Sequence, residues 1–408
     1  MPSRRRVSKN TRMILIILAG GAALLFLFTG LDPLKMFPPA ATLTSALPAT
    51  LMPAPAATLI SSLPATLLPA PAETGGSSGW WEVAFTDPNR LNDPDQIEGS
   101  IEERLIELVA ASQATIDIAA FELDLVPLVD ALIAASGRGV VIRFMTDDEN
   151  GIEADQDSGL DLFERLQAAG IQIKDDGRSD LMHDKFIIFD SQIVWTGSTN
   201  LTENGIFANN NNALTLFSAQ IARIYEDEFD EMWAGEFGPT SPSTVENQLV
   251  TIADVPVQIL FGSEDPVLGF ILELIEETQS SLRFMAFSFT QDDLGQAVLE
   301  LAQAGVDVRG IFETRASETE FSELGRLFCA GVLVRQDGNS STFHHKVFVF
   351  DERIVLTGSL NFSDSAVEGN DENVVIIEDP ALADQFLAEF DRRWAEATQP
   401  AAGVFSCP

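Results

Sequence analysis

The sequence contains few of the residues that build metal centres, disulfide frameworks or nucleic-acid interfaces. Its 408 residues include two cysteines, three histidines and one tyrosine, so a disulfide framework and a four-thiolate metal site are excluded. Lysine and arginine number 24 against 62 aspartate and glutamate residues, which gives a net charge of −38. An acidic protein of this kind repels polyanions, which argues against nucleic acid as a partner.

The two cysteines are expected to stay unpaired. Cys329 lies in an apolar stretch, which favours a small buried residue with a free thiol. A disulfide between Cys329 and Cys407 is the alternative if this part of the chain is exported to an oxidising compartment.

Residues 1–36 have the pattern of a membrane anchor. Five bases precede the uncharged segment Met13–Thr29, which predicts a single transmembrane helix in the cell membrane, with the rest of the chain on the extracytoplasmic side. A cleaved signal peptide, which gives a secreted protein, is the alternative. Residues 37–79 are rich in proline and alanine and contain a tandem repeat, so we expect an extended linker there.

The rest of the sequence is an internal duplication. Helix-like and strand-like stretches alternate in the same order in residues 80–240 and 248–400, with a segment rich in proline and serine between them. Alternating strands and helices indicate an α/β fold. We therefore expect two tandem α/β domains that pack about a pseudo-twofold axis.

Each half contains one His-x-Lys motif, followed by four apolar residues and an aspartate. The two copies comprise His183, Lys185 and Asp190 in the first half and His344, Lys346 and Asp351 in the second. Both continue into Gly-Ser-x-Asn, which contains Ser198 and Asn200 in the first half and Ser359 and Asn361 in the second. Matching copies in a chain with so few histidines and lysines predict one shared functional site.

The spacing of the motif has a physical meaning. Residues two positions apart on a strand point to the same side, so the histidine and lysine of each motif share one face. A tight turn and a returning strand bring Gly-Ser-x-Asn back beside them. Two ammonium groups and two amides can bind a phosphodiester, with one imidazole on each side of phosphorus for in-line displacement. His345 lies between His344 and Lys346, points to the opposite face and is predicted to be structural.

These motifs resemble those of the phospholipase D superfamily, whose hallmark is the duplicated His-x-Lys-x4-Asp motif with a trailing Gly-Ser-x-Asn. The resemblance covers about Trp80 to Ala397. It implies two phospholipase D-like domains with one active site, a phosphohistidine intermediate, and no cofactor or metal ion. It also implies that Asp190 and Asp351 belong to the catalytic motif and support the site. The serines and asparagines of Gly-Ser-x-Asn are expected to bind substrate.

One difference between the halves bears on the roles of the histidines. Residues 370–373 match the Asn-x-Glu-Asn extension of the family, whereas Asn211 stands in the first half where Glu372 stands in the second. A carboxylate beside an imidazole favours its protonated form. We therefore expect Glu372 to support His344 as general acid and Asn211 to leave His183 neutral as the nucleophile.

The resemblance leaves three substrate classes open. Hydrolysis of phospholipid head groups is favoured by the predicted anchor and the acidic charge. A nuclease is the first alternative, although basic residues to follow a phosphate backbone are scarce. Phosphatidyl transfer of the cardiolipin synthase type is the second, although such enzymes usually have two membrane helices. We expect a monomer with an internal pseudo-dimer, and the preferred head group stays open.

Overall fold

The computed structural model describes residues 75–241, 245 and 248–407. The predicted anchor and residues 37–74 of the predicted linker lie outside the described residues. Within the described part, no helix is both long and apolar enough to span a membrane.

Two eight-stranded mixed sheets, one in each half, form the framework. The strands of the first sheet are β1 Gly75–Ser78, β2 Trp81–Phe85, β3 Thr115–Ala120, β4 Val141–Thr146, β5 Gln172–Asp175, β6 Lys185–Phe189, β7 Ile193–Gly197 and β8 Asn212–Phe217. Those of the second are β9 Leu249–Ile252, β10 Val255–Phe261, β11 Ser281–Ala286, β12 Asp307–Phe312, β13 Leu333–Gln336, β14 Lys346–Phe350, β15 Ile354–Gly358 and β16 Asn373–Glu378.

The two sheets have the same strand order. The first runs β1-β2-β8-β7-β6-β3-β4-β5, and the second runs β9-β10-β16-β15-β14-β11-β12-β13. In each sheet the last three strands of this order are parallel to one another, and the remaining pairs are antiparallel. The internal duplication and the tandem α/β fold predicted from the sequence are therefore confirmed.

Helices cover both faces of the sheets. They are α1 Ile101–Ala111, α2 Val126–Gly137, α3 Ala154–Ser158, α4 Leu162–Ala168 and α5 Ala219–Ala234 in the first half, and α6 Val267–Glu277, α7 Asp292–Gln303, α8 Glu323–Cys329, α9 Asp364–Glu368 and α10 Pro380–Glu396 in the second. Capping side chains set several of their starts: Ser100 accepts from the Glu103 amide at 3.2 Å and Asp379 from the Ala381 amide at 2.8 Å.

The long helices α5 and α10 lie between the two sheets. α5 packs on β6 and β7 of its own sheet, and its Tyr225 meets the Phe261 ring of β10 edge to face. α10 packs on β14 and β15 and also reaches β1 and β2. Buried residues from both halves form one central hydrophobic cluster around these helices, and each half has a second cluster under its outer helices. The halves are thus joined by a continuous core.

The folded part begins earlier than the sequence indicates. Gly75–Ser78, within the predicted linker, form strand β1 and pair with β2 from Gly75↔Ala84 to Ser78↔Trp81. The boundary at residue 80 was wrong because four small residues have neither the apolar alternation nor the β-branched side chains that mark a strand.

The prediction of two unpaired cysteines was also wrong. Cys329 at the end of α8 is joined to Cys407 by a disulfide. The ring of Phe405 lies against Phe328, with 5.9 Å between centroids, so the C-terminal segment is held onto α8. Residue 407 follows the last helix, and no pattern in the sequence indicates where such a segment folds back.

Loss of this disulfide should reduce stability without changing the active site. The bond closes a loop with a sequence separation of 78 residues. Cross-links that close loops of this size restrict the unfolded chain, so Cys407→Ser should lower the free energy of unfolding by about 2–4 kcal/mol. Urea titration of the variant and of the reduced native protein should give the same midpoint. Equal midpoints for the oxidised and reduced native protein would show that the bond contributes nothing.

Candidate active site

Each histidine motif is fastened to the opposite half of the molecule. The backbone amide of His183 donates to the carbonyl of Asp371 at 2.9 Å, and that of His344 donates to the carbonyl of Asn210 at 2.9 Å. The same two segments form short parallel bridges, Met182↔Asp371 and Asn210↔Phe343. The pseudo-twofold axis therefore runs between the motifs, and both histidines belong to one site.

The lysines are buried beside the histidines. Lys185 donates from Nζ to the carbonyl of His183 at 2.8 Å, and Lys346 donates to that of His344 at 3.0 Å. Each is 1% exposed. The predicted pairing of His183 with Lys185 and of His344 with Lys346 is confirmed.

One phenylalanine, which the sequence reasoning missed, contacts each histidine–lysine pair. The Lys185 ammonium lies 5.1 Å from the ring centroid of Phe121, and the Lys346 ammonium lies 4.7 Å from that of Phe287. The same rings meet His183 and His344 edge to face at 4.9 and 4.8 Å. Phe121 and Phe287 each directly follow the strand, β3 or β11, that pairs with the motif strand. Their equivalent positions in the two halves are the feature of the sequence from which they could have been predicted.

The structure overturns the expected partner of each histidine. Nδ1 of His183 lies 2.7 Å from Oε2 of Glu372. Nδ1 of His344 lies 3.0 Å from the carbonyl oxygen of Ser198 and 3.0 Å from Oδ1 of Asn211. Glu372 therefore serves His183, and Asn211 serves His344, because each Asn-rich segment crosses to the motif of the other half.

Burial shifts the pKa values of the ionisable side chains in the site. Burial is the main cause that lowers the pKa of both His183 and His344 well below the ordinary range, and the two nearby ammonium groups lower them further. Burial also lowers the pKa of Lys185 to about 8 and raises that of Glu372 to about 8. Burial also lowers the pKa of Lys346 well below its ordinary value. An anion bound between the lysines and the imidazoles would favour their protonated forms.

The Gly-Ser-x-Asn segments divide into structural and exposed residues. Ser198 and Ser359 are fully buried, and their hydroxyls accept from the amides of Asn212 and Asn373 at 3.0 and 2.9 Å. Each serine therefore holds the start of the neighbouring strand, and the expectation that these serines also bind substrate stays a prediction. The asparagines are the residues of these segments that remain available to a substrate.

Asn200 and Asn361 are half-exposed and occupy matching positions. Asn200 donates to Oε2 of Glu122 at 2.9 Å. The side-chain oxygens of Asn200 and Asn361 have no hydrogen-bond partner within the described part of the chain. The role of these two amides as substrate ligands stays a prediction.

The comparisons with known proteins agree with this geometry. The family model described as "Cardiolipin synthase, PLD-like domain" matches residues 105–233 and again 271–394, which together make up more than half of the chain. The chain belongs to this phospholipase D-like family. The two matches correspond to the two sheets and their helices, so the family domain occurs here as a fused pair.

Relatives of this phospholipase D-like chain match one domain. The mitochondrial cardiolipin hydrolase of Mus musculus is 39% identical over 129 residues, covering 32% of this chain and 58% of that protein. The phospholipase D of Rickettsia prowazekii is 33% identical over 124 residues, covering 30% of this chain and 60% of that protein. The chain thus spans less than two thirds of the length of these curated relatives.

The tandem arrangement of the two phospholipase D-like domains also has a counterpart among solved structures. Phosphatidylserine synthase from Haemophilus influenzae Rd KW20 superposes with a TM-score of 0.57 at 16% identity, covering 77% of this chain and 85% of that structure. At this identity the likeness concerns the fold, and it agrees with the tandem arrangement of the two domains.

The motif aspartates of the phospholipase D-like domains lie away from the reacting groups. Asp190 and Asp351 follow β6 and β14, at the ends of these strands opposite to the histidines, in tight turns whose first two residues have positive φ. Asp351 accepts from the amides of Gln279, Ser280 and Ser281 at 2.7–3.1 Å. Asp190 does the same for residues 113–115. These contacts agree with the prediction that the two aspartates support the site, because each fixes the start of the strand beside its motif strand.

Asp351→Asn should therefore affect stability and leave catalysis nearly intact. Burial is the largest single influence and raises the pKa of Asp351, but three backbone amides and the Ser280 hydroxyl together lower it to about 2 from the ordinary value of 3.8. The stability that this carboxylate contributes is present above about pH 4 and lost as the pH falls towards 2. Thermal melts of the variant should show a lower midpoint near neutral pH, and kcat per folded molecule should stay within about twofold of native. A large fall in kcat would show that Asp351 contributes to catalysis and not to stability alone.

The residues between the histidines and lysines point away from the site. His345 is fully buried, with Nε2 3.3 Å from Oε1 of Glu389 and Nδ1 3.2 Å from Nδ2 of Asn212. The prediction that His345 is structural agrees with these contacts. Asp184 occupies the equivalent position in the first half and is also fully buried.

Carboxylates are left over that could hold a metal ion, contrary to the expectation from the sequence. Within the described residues, two groups bring their oxygens within 4.8 Å of one another. One contains Asp147, Asp148 and Asp176, and the other contains Glu228, Glu231 and Glu264. Neither group includes the two catalytic histidine candidates.

Proposed function

We propose that the chain is a phosphodiesterase that hydrolyses phospholipid head groups through a phosphohistidine. The observation that carries this proposal is the pair of imidazoles in one site, each held at Nδ1 and each beside a buried ammonium. A partner that accepts a hydrogen bond from Nδ1 keeps the ring hydrogen there and leaves the lone pair on Nε2, as nucleophilic attack and proton transfer both require.

His183 is the nucleophile in this proposal. Its Nε2 forms a bond to phosphorus while the bond from phosphorus to the alcohol oxygen breaks, and the imidazole becomes positively charged. The Glu372 carboxylate at Nδ1 stabilises that charge. Lys185 and Lys346, together with the amides of Asn200 and Asn361, bind the phosphoryl oxygens and stabilise the charge that develops on them.

His344 is the general acid and then the general base. Its Nδ1 contacts are a backbone carbonyl and an amide oxygen, which stabilise an imidazolium less than a carboxylate does. A proton taken up at Nε2 on binding an anionic substrate is therefore readily given to the leaving alcohol. Neutral His344 then takes a proton from water, whose oxygen attacks phosphorus and releases His183.

Three observations support a phospholipid as the substrate. The net charge of −38 opposes a nucleic acid, and Glu122 lies beside Asn200 at the site. Relatives that match one domain are named cardiolipin hydrolase and phospholipase D. The apolar segment Met13–Thr29 would hold the enzyme at a bilayer, where its substrate lies.

Direct turnover assays test this choice. The purified full-length chain should release head groups from vesicles of phosphatidylcholine and cardiolipin faster than it cleaves a single-stranded oligonucleotide, with a His183→Ala variant as the blank. Cleavage of the oligonucleotide with intact lipid would replace the proposal with a nuclease. Formation of a new phosphatidyl ester in place of phosphatidic acid would favour the transferase.

We further propose a single-pass membrane protein whose catalytic part lies outside the cytoplasm. The basic residues before Met13 favour this orientation, and the disulfide between Cys329 and Cys407 is typical of oxidising compartments. Protease added to intact cells should digest the catalytic part while it sediments with membranes. A protected catalytic part would contradict the orientation, and a freely soluble one would favour the cleaved signal peptide.

A further inference from the structure

The region behind the second histidine motif is an ordered ion-pair network. Glu389 of α10 contacts His345 at 3.3 Å and accepts from Nε of Arg393 at 2.7 Å, and Arg392 binds its other carboxylate oxygen. The Arg393 guanidinium continues to the carbonyl of Thr86, in the loop after β2. Three basic side chains thus surround one buried carboxylate.

The first half has a matching carboxylate but none of these basic side chains. Glu228 of α5 and Glu389 of α10 are as far apart in the sequence as His183 and His344, so they occupy equivalent positions in the two halves. By the same spacing, the basic residues of the second half are replaced in the first half by Asp184 for His345, Glu231 for Arg392 and Met232 for Arg393.

A third carboxylate comes from the loop after β10. Oxygens of Glu228, Glu231 and Glu264 lie within 4.8 Å of one another. Glu228 is 1% exposed, and its Oε2 has no hydrogen-bond partner among the described residues. Behind it, Asp184 is fully buried, and neither of its carboxylate oxygens has a partner in the described part of the chain. Buried carboxylate oxygens without partners are costly unless a cation or a proton reaches them.

Arg178 is the basic side chain that acts on Glu264, and it forms its ion pairs with other carboxylates. Its guanidinium contacts Asp371 and Asp176. Oε2 of Glu228 has no hydrogen-bond partner in the described part of the chain, so a cation bound beside it would relieve the cost of burying this carboxylate.

We propose that a divalent cation of the calcium type binds between α5 and the loop after β10, with Glu228, Glu231 and Glu264 as ligands. Calcium takes several oxygen ligands in flexible geometry, and this group offers carboxylate oxygens without nitrogen or sulfur. Glu264 is half-exposed and provides the route of entry. The ion replaces in the first half the arginines that neutralise Glu389 in the second.

The location links this site to the active site. The amide of Gly262, two residues before Glu264, donates to the carbonyl of Glu372 at 2.6 Å. A Cβ atom at Gly262 would lie 2.7 Å from the Cβ of Glu372, so the loop can hardly move without moving the partner of His183. The bound ion therefore holds this loop of the second half against α5 of the first.

Calorimetric titration of the full-length chain, first stripped with EDTA, tests the proposal. Calcium chloride should bind with one equivalent and raise the midpoint of thermal unfolding. Glu228→Gln should weaken binding by about tenfold or more, because one charged ligand is lost. The matched control is Asp227→Asn, which removes one exposed charge from the neighbouring position of α5 and should bind calcium like the native chain. Unchanged binding in Glu228→Gln would place the ion elsewhere and overturn the proposal.

A second variant imitates the arginines of the other half. Glu231→Arg combined with Met232→Arg should abolish calcium binding and melt in EDTA at or above the temperature of the stripped native chain. If this variant does not fold, the Glu228→Gln titration decides. An absence of binding heat and of any calcium effect on melting at pH 8 would show that protons, not a metal ion, neutralise the group. None of these measurements depends on turnover.

Discussion

Turnover should be lost in His183→Ala and equally in His344→Ala. One imidazole forms the bond to phosphorus and the other transfers the proton, so each acts on the same phosphodiester and neither can replace the other. We expect kcat to fall by about 10⁴-fold or more in either single variant, and the double variant should be little worse than the singles, because residues that act as a unit are not additive. The measurement is kcat on phospholipid vesicles with matched folded protein.

The third histidine provides the control. His345→Gln removes an imidazole that is as buried as the other two but contacts Glu389 and Asn212 instead of the shared site. It should lower the midpoint of thermal unfolding and keep most of the turnover per folded molecule. Ordinary activity in either His183→Ala or His344→Ala would refute a single site shared by both halves.

Glu372→Gln should have the next largest effect. The carboxylate lies 2.7 Å from Nδ1 of His183, and an amide in its place cannot stabilise the charge that develops on the imidazole. We expect kcat to fall on the order of 10²–10³-fold, as for other charge-stabilising groups in dry sites. The rate of phosphohistidine formation, measured in a single turnover, should fall with it.

The pH dependence of the native enzyme has a definite direction. Burial raises the pKa of Glu372 to about 8. Below that pH the Glu372 carboxyl is protonated and donates its hydrogen to Nδ1 of His183. The hydrogen of the neutral imidazole then lies on Nε2, which therefore has no lone pair for attack on phosphorus. The value of kcat/KM should therefore rise with pH through about 8 in the native enzyme. In Glu372→Gln this limb should move to lower pH, because the pKa of His183 lies well below its ordinary value.

An exchange of partners tests the division of labour. Glu372→Gln combined with Asn211→Asp moves the carboxylate from His183 to His344. If the carboxylate selects the nucleophile, acid-trapped phosphohistidine should be found at residue 183 in the native enzyme and at residue 344 in the double variant. Label at residue 344 in the native enzyme would reverse the assigned roles and leave the two-histidine mechanism intact.

The local features of the site could be predicted from the sequence. The spacing of His183 and Lys185 and the apolar run after them were enough to predict a strand, and the hairpin turn at Asp190 followed from it. These features depend on the alternation of side chains along one strand and on the small number of residues that a tight turn allows.

The contacts between the halves could not be predicted in the same way. Glu372 is aligned with the motif of its own half but binds His183, which is 189 residues away in the chain. Nothing in the spacing of one half shows that its Asn-rich segment crosses the pseudo-twofold axis. The contacts of Asp351 could not be predicted for a related reason: a carboxylate at a turn can accept from amides of the adjacent strand, and only the fold shows where those amides are.

The reciprocal fastening of the two motifs has a consequence for how the halves can diverge. If the site were built from two identical chains, every substitution would appear twice, and both histidines would always have the same partner. Fusion of the halves removes this constraint, since a mutation at residue 211 alters the surroundings of His344 alone. The covalent link therefore permits one histidine to specialise in attack and the other in proton transfer, a freedom that a symmetric dimer does not have.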